Sequence, residues 1–171
     1  MAILVGPSKH PLMLRSLLPL AALIALPAAA QTATRSERDV LSVIERFFVC
    51  MTTRDSAGMA AIMEPEGLFT IVETGPNAKP PKTVTHANYL SRVKKGGGTL
   101  QERFWDPTVR MDSSVAVVSC PYDFHFDGKF THCGLDVFTL VKRDGQWRLA
   151  GTVFSMQKEG CAPSPLGPLK N

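Results

Sequence analysis

Asp123, His132 and Asp136 stand close together in a stretch otherwise dominated by Val, Phe, Thr and Tyr. Two carboxylates and an imidazole in apolar surroundings make a general acid/base set. Desolvation and mutual repulsion push one carboxyl pKa up, and a neighbouring carboxylate keeps a histidine charged more easily. The plainer alternative for Asp123 and His132 is an exposed cross-strand pair near a hairpin tip. His125 and His132, with Asp123 or Cys133, can also be read as metal ligands. A transition metal wants three or four donors converging in fixed geometry, and strand alternation turns Cys133 to the other face, so no metal and no cofactor is expected. The four cysteines are Cys50, Cys120, Cys133 and Cys161. A catalytic thiolate would be a poor choice in an oxidising compartment, where a free reactive cysteine is exposed to oxidation.

The stretch 114–156 must position these groups. Its three β-rich runs are separated by Asp127-Gly128 and Asp144-Gly145. Asp-Gly tolerates the positive φ angles of two-residue hairpin turns, so two successive hairpins are expected. With both turns two residues long, Asp123 pairs with His132, Ser119 with Asp136, and Asp136 with Val153. Alternation then puts Ser119, Asp123, His125, His132, Gly134, Asp136, Phe138, Leu149, Gly151 and Val153 on one face. That face mixes ionisable and small residues, as a pocket wall would. The other carries Cys120, Tyr122, Phe124, Cys133, Leu135, Val137, Thr139, Ala150, Thr152, Phe154 and Met156, an ordinary packing surface. Pro121 has no N–H for the ladder and implies a bulge or an edge, and a one-residue slip there exchanges faces.

Upstream, Lys9 and Arg15 precede an apolar run from 17 to 26, and Ala28-Ala29-Ala30 follows. This order reads as a secretory signal peptide over 1–30, with Met13 as an alternative start. The run is shorter than the ~20 apolar residues of a membrane span, so no membrane association is expected after cleavage. Losing two basic residues takes the net charge from +4 to +2. No Lys/Arg run interleaved with aromatics appears, which argues against nucleic-acid binding. The expected domain is 31–157, periplasmic or secreted, followed by a Pro/Gly-rich tail at 158–171. Ser36 caps a first helix to about 53, with Asp39 in capping-box position and Val40, Ile44, Phe47, Phe48 and Met51 on one face. Asp55 or Ser56 opens a second helix through Met63, ended by Pro65-Glu66-Gly67. A strand at 68–73 and a loop at 74–85 follow. Thr85 caps a third helix through Val93 with Tyr89 on its buried side. Lys94-Lys95-Gly96-Gly97-Gly98 reads as a solvated connection, because no strand precedes it and no Gly-Lys-Ser/Thr follows. A strand at 99–111 bends at Asp106-Pro107.

The order helix, helix, strand, helix and long meander, with Arg54-Asp55, Gly134-Leu135-Asp136-Val137-Phe138-Thr139-Leu140 and Asp144-Gly145-Gln146-Trp147, resembles the nuclear transport factor 2-like superfamily. The nearest branches are the exported lumazine-binding-like and polyketide-cyclase-like ones. The resemblance implies an α+β, cystatin-like cone: N-terminal helices on the concave face of a curved antiparallel sheet, enclosing an apolar pocket, with a homodimer formed across the outer sheet face. It places Asp136 like the inward Asp that polyketide cyclases use as acid or base. A ketosteroid isomerase would need a Tyr on the first long helix, where this chain has Phe47 and Phe48. An epoxide hydrolase would need an Asp-Arg-Asp set, with Arg110 turned inward. Fold alone does not choose among these. The expected site is Asp136, His132 and Asp123 for chemistry, lined by Phe47, Phe48, Tyr89, Trp105, Ser119 and Phe138. The expected function is binding of a small apolar or aromatic ligand. The alternatives are a cofactor-free isomerase, dehydratase or cyclase, and a non-catalytic dimerising scaffold.

N-terminal sequencing of protein exported by a bacterial host should find a mature chain beginning close to Gln31. An intact leader on soluble cytosolic protein would refute the leader reading.

Overall fold

The computed structural model describes residues 34–169; the leader expected at 1–30 lies outside the described residues. The first helix, α1 (Arg35–Thr52), is capped by Thr34 rather than Ser36. Thr34 Oγ1 accepts from the Glu37 amide at 3.2 Å, and the Glu37 carboxylate accepts from the Thr34 amide at 2.6 Å. Glu has the reach to close this capping box, and Asp39 lacks it. Val40, Ile44, Phe47, Phe48 and Met51 form the buried stripe expected of the 3.6-residue period.

Arg54 turns the chain with φ 56° into α2 (Ser56–Ala61), capped by Asp55, which accepts from Gly58 N at 2.8 Å. The Arg54 guanidinium donates to the carbonyls of Gly98 (2.8 Å), Val93 (3.2 Å) and Gly97. Those carbonyls lie at and just beyond the C-terminus of α3 (His86–Lys95), where a cation is favoured. One arginine thus ties the first helical corner to the glycine-rich connection.

β1 (Met63–Glu73) begins earlier than the 68–73 expected and runs through Pro65 and Gly67. The ladder shifts register between Met63 and Leu68, which accommodates the proline. Gly67 lies against His86 and the Ala150 carbonyl so closely that any side chain would collide with both. The loop expected at 74–85 contains β2 (Lys82–Thr85), paired with β1, and Thr85 caps α3 as expected. The bent strand at 99–111 is β3 (Leu100–Phe104) and β4 (Thr108–Met111). Both pair with β5 (Val115–Phe126), and the break between them lies opposite Pro121. Pro121 still accepts from the Trp105 amide at 3.2 Å but has no N–H to return, and Asp106 takes φ 45° at the bend.

β6 (Lys129–Arg143) and β7 (Gln146–Met156) complete the meander. Asp127, Gly128, Asp144 and Gly145 all have positive φ, as two-residue hairpin turns require. The sheet order is β2-β1-β7-β6-β5-β3, with β4 beside β5. Every pair is antiparallel except β1 with β7. Helices cover one face, and the core between them joins α1 to Phe69, Val118, Cys120, Phe138, Leu140 and Leu149. Full burial of each such large side chain contributes roughly 1.5–3 kcal/mol.

Two bulges alter the expected register. Phe124 pairs with His132 but His125 with Phe130, leaving Thr131 extra; Thr139 pairs with Gly151 but Leu140 with Leu149, leaving Ala150 extra. Asp136 therefore pairs with Cys120 and Phe154, not with Ser119 and Val153. The alternation expected along β6 is kept, while the phases of its neighbours are exchanged. Beyond β7, Cys161 returns to form a disulfide with Cys133, whose Cα lies 6.1 Å away. Cys50 and Cys120 are free and buried.

Thiol titration of unreduced protein should find two thiols after unfolding and almost none in the native state. Four thiols after unfolding, or none, would contradict this pairing.

Candidate functional site

A cavity of about 460 Å³ opens between the helices and the inner sheet face. Phe47 and Met51 from α1, Phe69 and Ile71 from β1 and Tyr89 from α3 form its apolar side. The rings contact one another, Phe69 and Tyr89 at 4.5 Å and Phe47 and Phe69 at 5.8 Å between centroids. Phe138, Thr152 and Phe154 line the sheet side, and the exposed Lys79 and Lys82 mark the mouth with Glu73.

Asp136 lies within this cavity, 2% exposed. The carboxyl facing it is Glu102, on β3. Burial raises both pKa values, Asp136 to about 7 and Glu102 well above the usual carboxylate range. Glu102 is half-buried, with part of its surface open to the cavity. The Asp136 charge raises Glu102 further, and a hydrogen bond from Glu102 favours ionised Asp136. The pair therefore shares a proton, held mainly by Glu102. No arginine or lysine among the described residues acts on either carboxyl strongly enough to shift it. Tyr89 feels the same charges; burial first, then Glu102 and Asp136, raise its pKa, and its hydroxyl donates to Met51 Sδ at 3.1 Å.

His132 also lines the cavity. Four residues along β6 put it about 13 Å from Asp136 at the strand rise, so the two do not act as a dyad. Burial, with Lys158 and then His125, lowers its pKa to about 4 and keeps it neutral. Its ring stacks on Phe124 at 4.8 Å. Thr131 Oγ1 donates to the Phe124 carbonyl at 3.2 Å, so it accepts from His132 Nδ1–H at 2.7 Å, leaving Nε2 as an acceptor.

Gly134, between His132 and Asp136, does not leave open space. The Tyr122 ring covers it and donates its hydroxyl to the Ser155 carbonyl at 2.8 Å; a Cβ at 134 would collide with both.

Asp123 is corrected to the opposite face. The Arg103 guanidinium donates to it at 2.8 and 2.5 Å, and His125 Nδ1 lies 3.6 Å away. The tail, returned by the disulfide, covers this cluster with Ala162, Pro163 and Ser164. Ser119 and Gly151 are on that outer face too, because the bulges exchange the phase of β5 and β7 around β6. Phe48 packs in the core against Phe104 and Phe138, at 5.6 and 5.9 Å, and does not reach the cavity. Trp105 sits in the β3–β4 bend, away from it. Phe47, Tyr89 and Phe138 do line it. Sequence reasoning missed Glu102, although a signal was present: it occupies the apolar phase of β3, between Leu100 and Phe104. Among the described residues, no group of three or more His, Cys, Asp and Glu side chains is arranged to hold a metal.

A carboxyl raised on folding binds its proton more tightly in the folded chain. Its stabilisation is complete below the ordinary value of 3.8 and is lost as pH rises through about 7. Thermal melts of the wild type should lose about 1–4 kcal/mol of stability between pH 4 and pH 8 through this pair. Asp136→Asn should flatten that decline. Parallel stability curves for the two proteins would show that Asp136 is not buried as a strained acid.

The model of the family described as "Putative lumazine-binding" matches residues 35–155. No curated protein matches the chain in sequence. Among solved structures, a nuclear transport factor 2-like protein from Cytophaga hutchinsonii superposes with a TM-score of 0.60 at 15% identity, over 72% of this chain and 99% of that one. A nuclear transport factor 2-like protein with a cystatin-like fold from Novosphingobium aromaticivorans gives 0.56 at 12% identity, over 74% and 85%. A protein from Streptomyces avermitilis, described as a "putative dehydratase" of the nuclear transport factor 2-like family, gives 0.55 at 15% identity, over 70% and 94%. At these identities the likeness is one of fold. With the family match spanning most of the described residues, the chain belongs to the family described as "Putative lumazine-binding", and its fold is that of the nuclear transport factor 2-like structures.

Proposed function

We propose that this domain is exported and holds a small, mostly apolar or aromatic ligand in the cavity between helices and sheet, with Glu102 and Asp136 as its polar anchor. The observation that carries this reading is Asp136 itself: an acid 2% exposed, facing an open cavity whose other walls are largely aromatic and aliphatic. A cavity of about 460 Å³ lies in the range of small-molecule sites, which are apolar with a few placed polar groups. The anchor costs stability at neutral pH, as strongly perturbed groups at functional sites often do.

Export is supported by the charged and apolar order of the leader and by the Cys133–Cys161 disulfide, a bond suited to oxidising compartments. Pairing of two copies across the outer sheet face is supported by exposed Leu68, Val117, Leu135 and Val153, which sit on adjacent strands of that face. The second functional reading is acid/base catalysis on the bound molecule. The shared proton favours it, because Glu102 can give a proton while Asp136 accepts one. The description of the Streptomyces avermitilis structure points the same way.

Native mass spectrometry of protein purified from an exporting host should show a dimer of the mature chain carrying a small-molecule mass. Ile71→Trp, which fills the cavity, should abolish that mass without unfolding the domain. A ligand retained by the Trp variant would place binding elsewhere, and a monomer would remove the dimer from the reading. Conversion of the released ligand by wild type but not by Asp136→Asn would favour the enzyme.

A further inference from the structure

The domain satisfies its other well-shielded carboxylates with donors. Asp123 takes two bonds from Arg103, and Glu64 takes bonds from Arg143 and an ion pair from Arg148. Glu102 and Asp136 are different. Asp136 Oδ2 is enclosed without an N–H or hydroxyl partner among the described residues. With Glu102 holding its proton and Asp136 titrating at about 7, the site carries a partial negative charge at neutral pH, with no cation beside it in an apolar enclosure. An unpaired charge in such a place is costly, and what would relieve it is a cation with N–H donors.

The walls point to the same complement. Phe47, Phe69, Tyr89 and Phe138 surround the space, and the negative faces of aromatic rings attract a cation. A ligand carboxylate would add further negative charge beside two acids. A neutral hydroxyl would offer one hydrogen bond and leave the charge uncompensated. Lys79 and Lys82 do not oppose a cation strongly, because they are exposed at the mouth, beside Glu73, where solvent and salt screen them.

We propose that the cavity selects an organic cation: an ammonium or amidine-like group seated between Glu102 and Asp136, on a flat apolar body packed against Phe47, Phe69, Tyr89 and Phe138. This rests on the reading of the cavity as a small-molecule site and names the chemistry it prefers. The cation donates to the Asp136 carboxylate, and its charge replaces the side-chain partner the protein omits. Charge-assisted hydrogen bonds are about twice as strong as neutral ones, which separates charged from neutral ligands of one shape.

Three probes of one skeleton test this by isothermal titration at neutral pH: 2-naphthylmethylamine, 2-naphthalenemethanol and 2-naphthoate. The amine should bind about tenfold or more tighter than the alcohol, and the carboxylate should bind weakest. The near-isosteric Glu102→Gln/Asp136→Asn double variant should lose the amine preference, the amine and the alcohol then binding alike. If that variant does not fold, Asp136→Asn alone should reduce the preference, and an undiminished preference there would count against the proposal. An alcohol that binds as tightly as the amine, a favoured carboxylate, or an amine preference surviving the double variant overturns it. Binding of the alcohol without amine preference overturns this inference alone. No binding of any probe to folded protein overturns the cavity reading as well.

Discussion

Side chains alternate across a strand, so one extra residue in a ladder moves every later neighbour to the other face. This sheet uses that device on both sides of β6. Thr131 is the extra residue against β5 and Ala150 the extra residue against β7. Between the bulges, Asp136 is flanked by Cys120 and Phe154, and the wall beside it is continued by Phe138 and Thr152. Without them, Ser119 and Val153 would flank it, and Asp123 would share its side of the sheet. Tyr122, laid over Gly134 and bonded to the Ser155 carbonyl, closes the inner wall across three strands. The shape of the cavity and the identity of its acids both depend on this arrangement.

The carboxyl pair shows how burial makes chemistry. Neither Glu102 nor Asp136 is unusual as a residue type. Desolvation raises both; the Asp136 charge raises Glu102 further, while the hydrogen bond from Glu102 partly offsets the rise of Asp136, and no cation relieves either. Asp123 is almost as deeply buried, at 4% exposed, but Arg103 holds it in a bidentate pair. Two acids of similar burial thus have different roles. The paired one secures the outer edge of the sheet beneath the tail, and the unpaired one is available to a ligand. His132 gains reactivity by neither route: desolvation leaves it neutral, stacked on Phe124 and oriented by Thr131.

The outer face is built on other terms. The tail is held there by the Cys133–Cys161 bond and by paired backbone hydrogen bonds between Cys133 and Gln157, at 2.8 and 2.9 Å. It shelters the Arg103–Asp123–His125 cluster where the apolar stripe of Val117, Leu135 and Val153 gives way to charge. A proline-rich segment has little regular structure of its own, and the covalent bond supplies what its sparse contacts do not.

Local signals were legible before any coordinates. The Asp-Gly pairs demanded hairpin turns because few residues accept positive φ. The apolar stripe of α1 followed from helical spacing, and the Asp106-Pro107 break and the Pro121 irregularity followed from a missing N–H. Those features brought Phe47, Tyr89, Phe138 and Asp136 to the cavity. They did not locate the bulges at Thr131 and Ala150, since neither residue has a backbone preference that announces an extra position. The faces of Ser119, Asp123 and Thr152 were therefore misassigned. Glu102 was in view, as the charged residue in an apolar phase, but its partner was not. The strands of Glu102 and Asp136 do not touch, and β5 lies between them. The sequence by itself determined which strands turn and where helices bury a face. Only the tertiary structure decided that two acids distant along the chain meet in one cavity, because sheet curvature and ladder register are properties of several strands together.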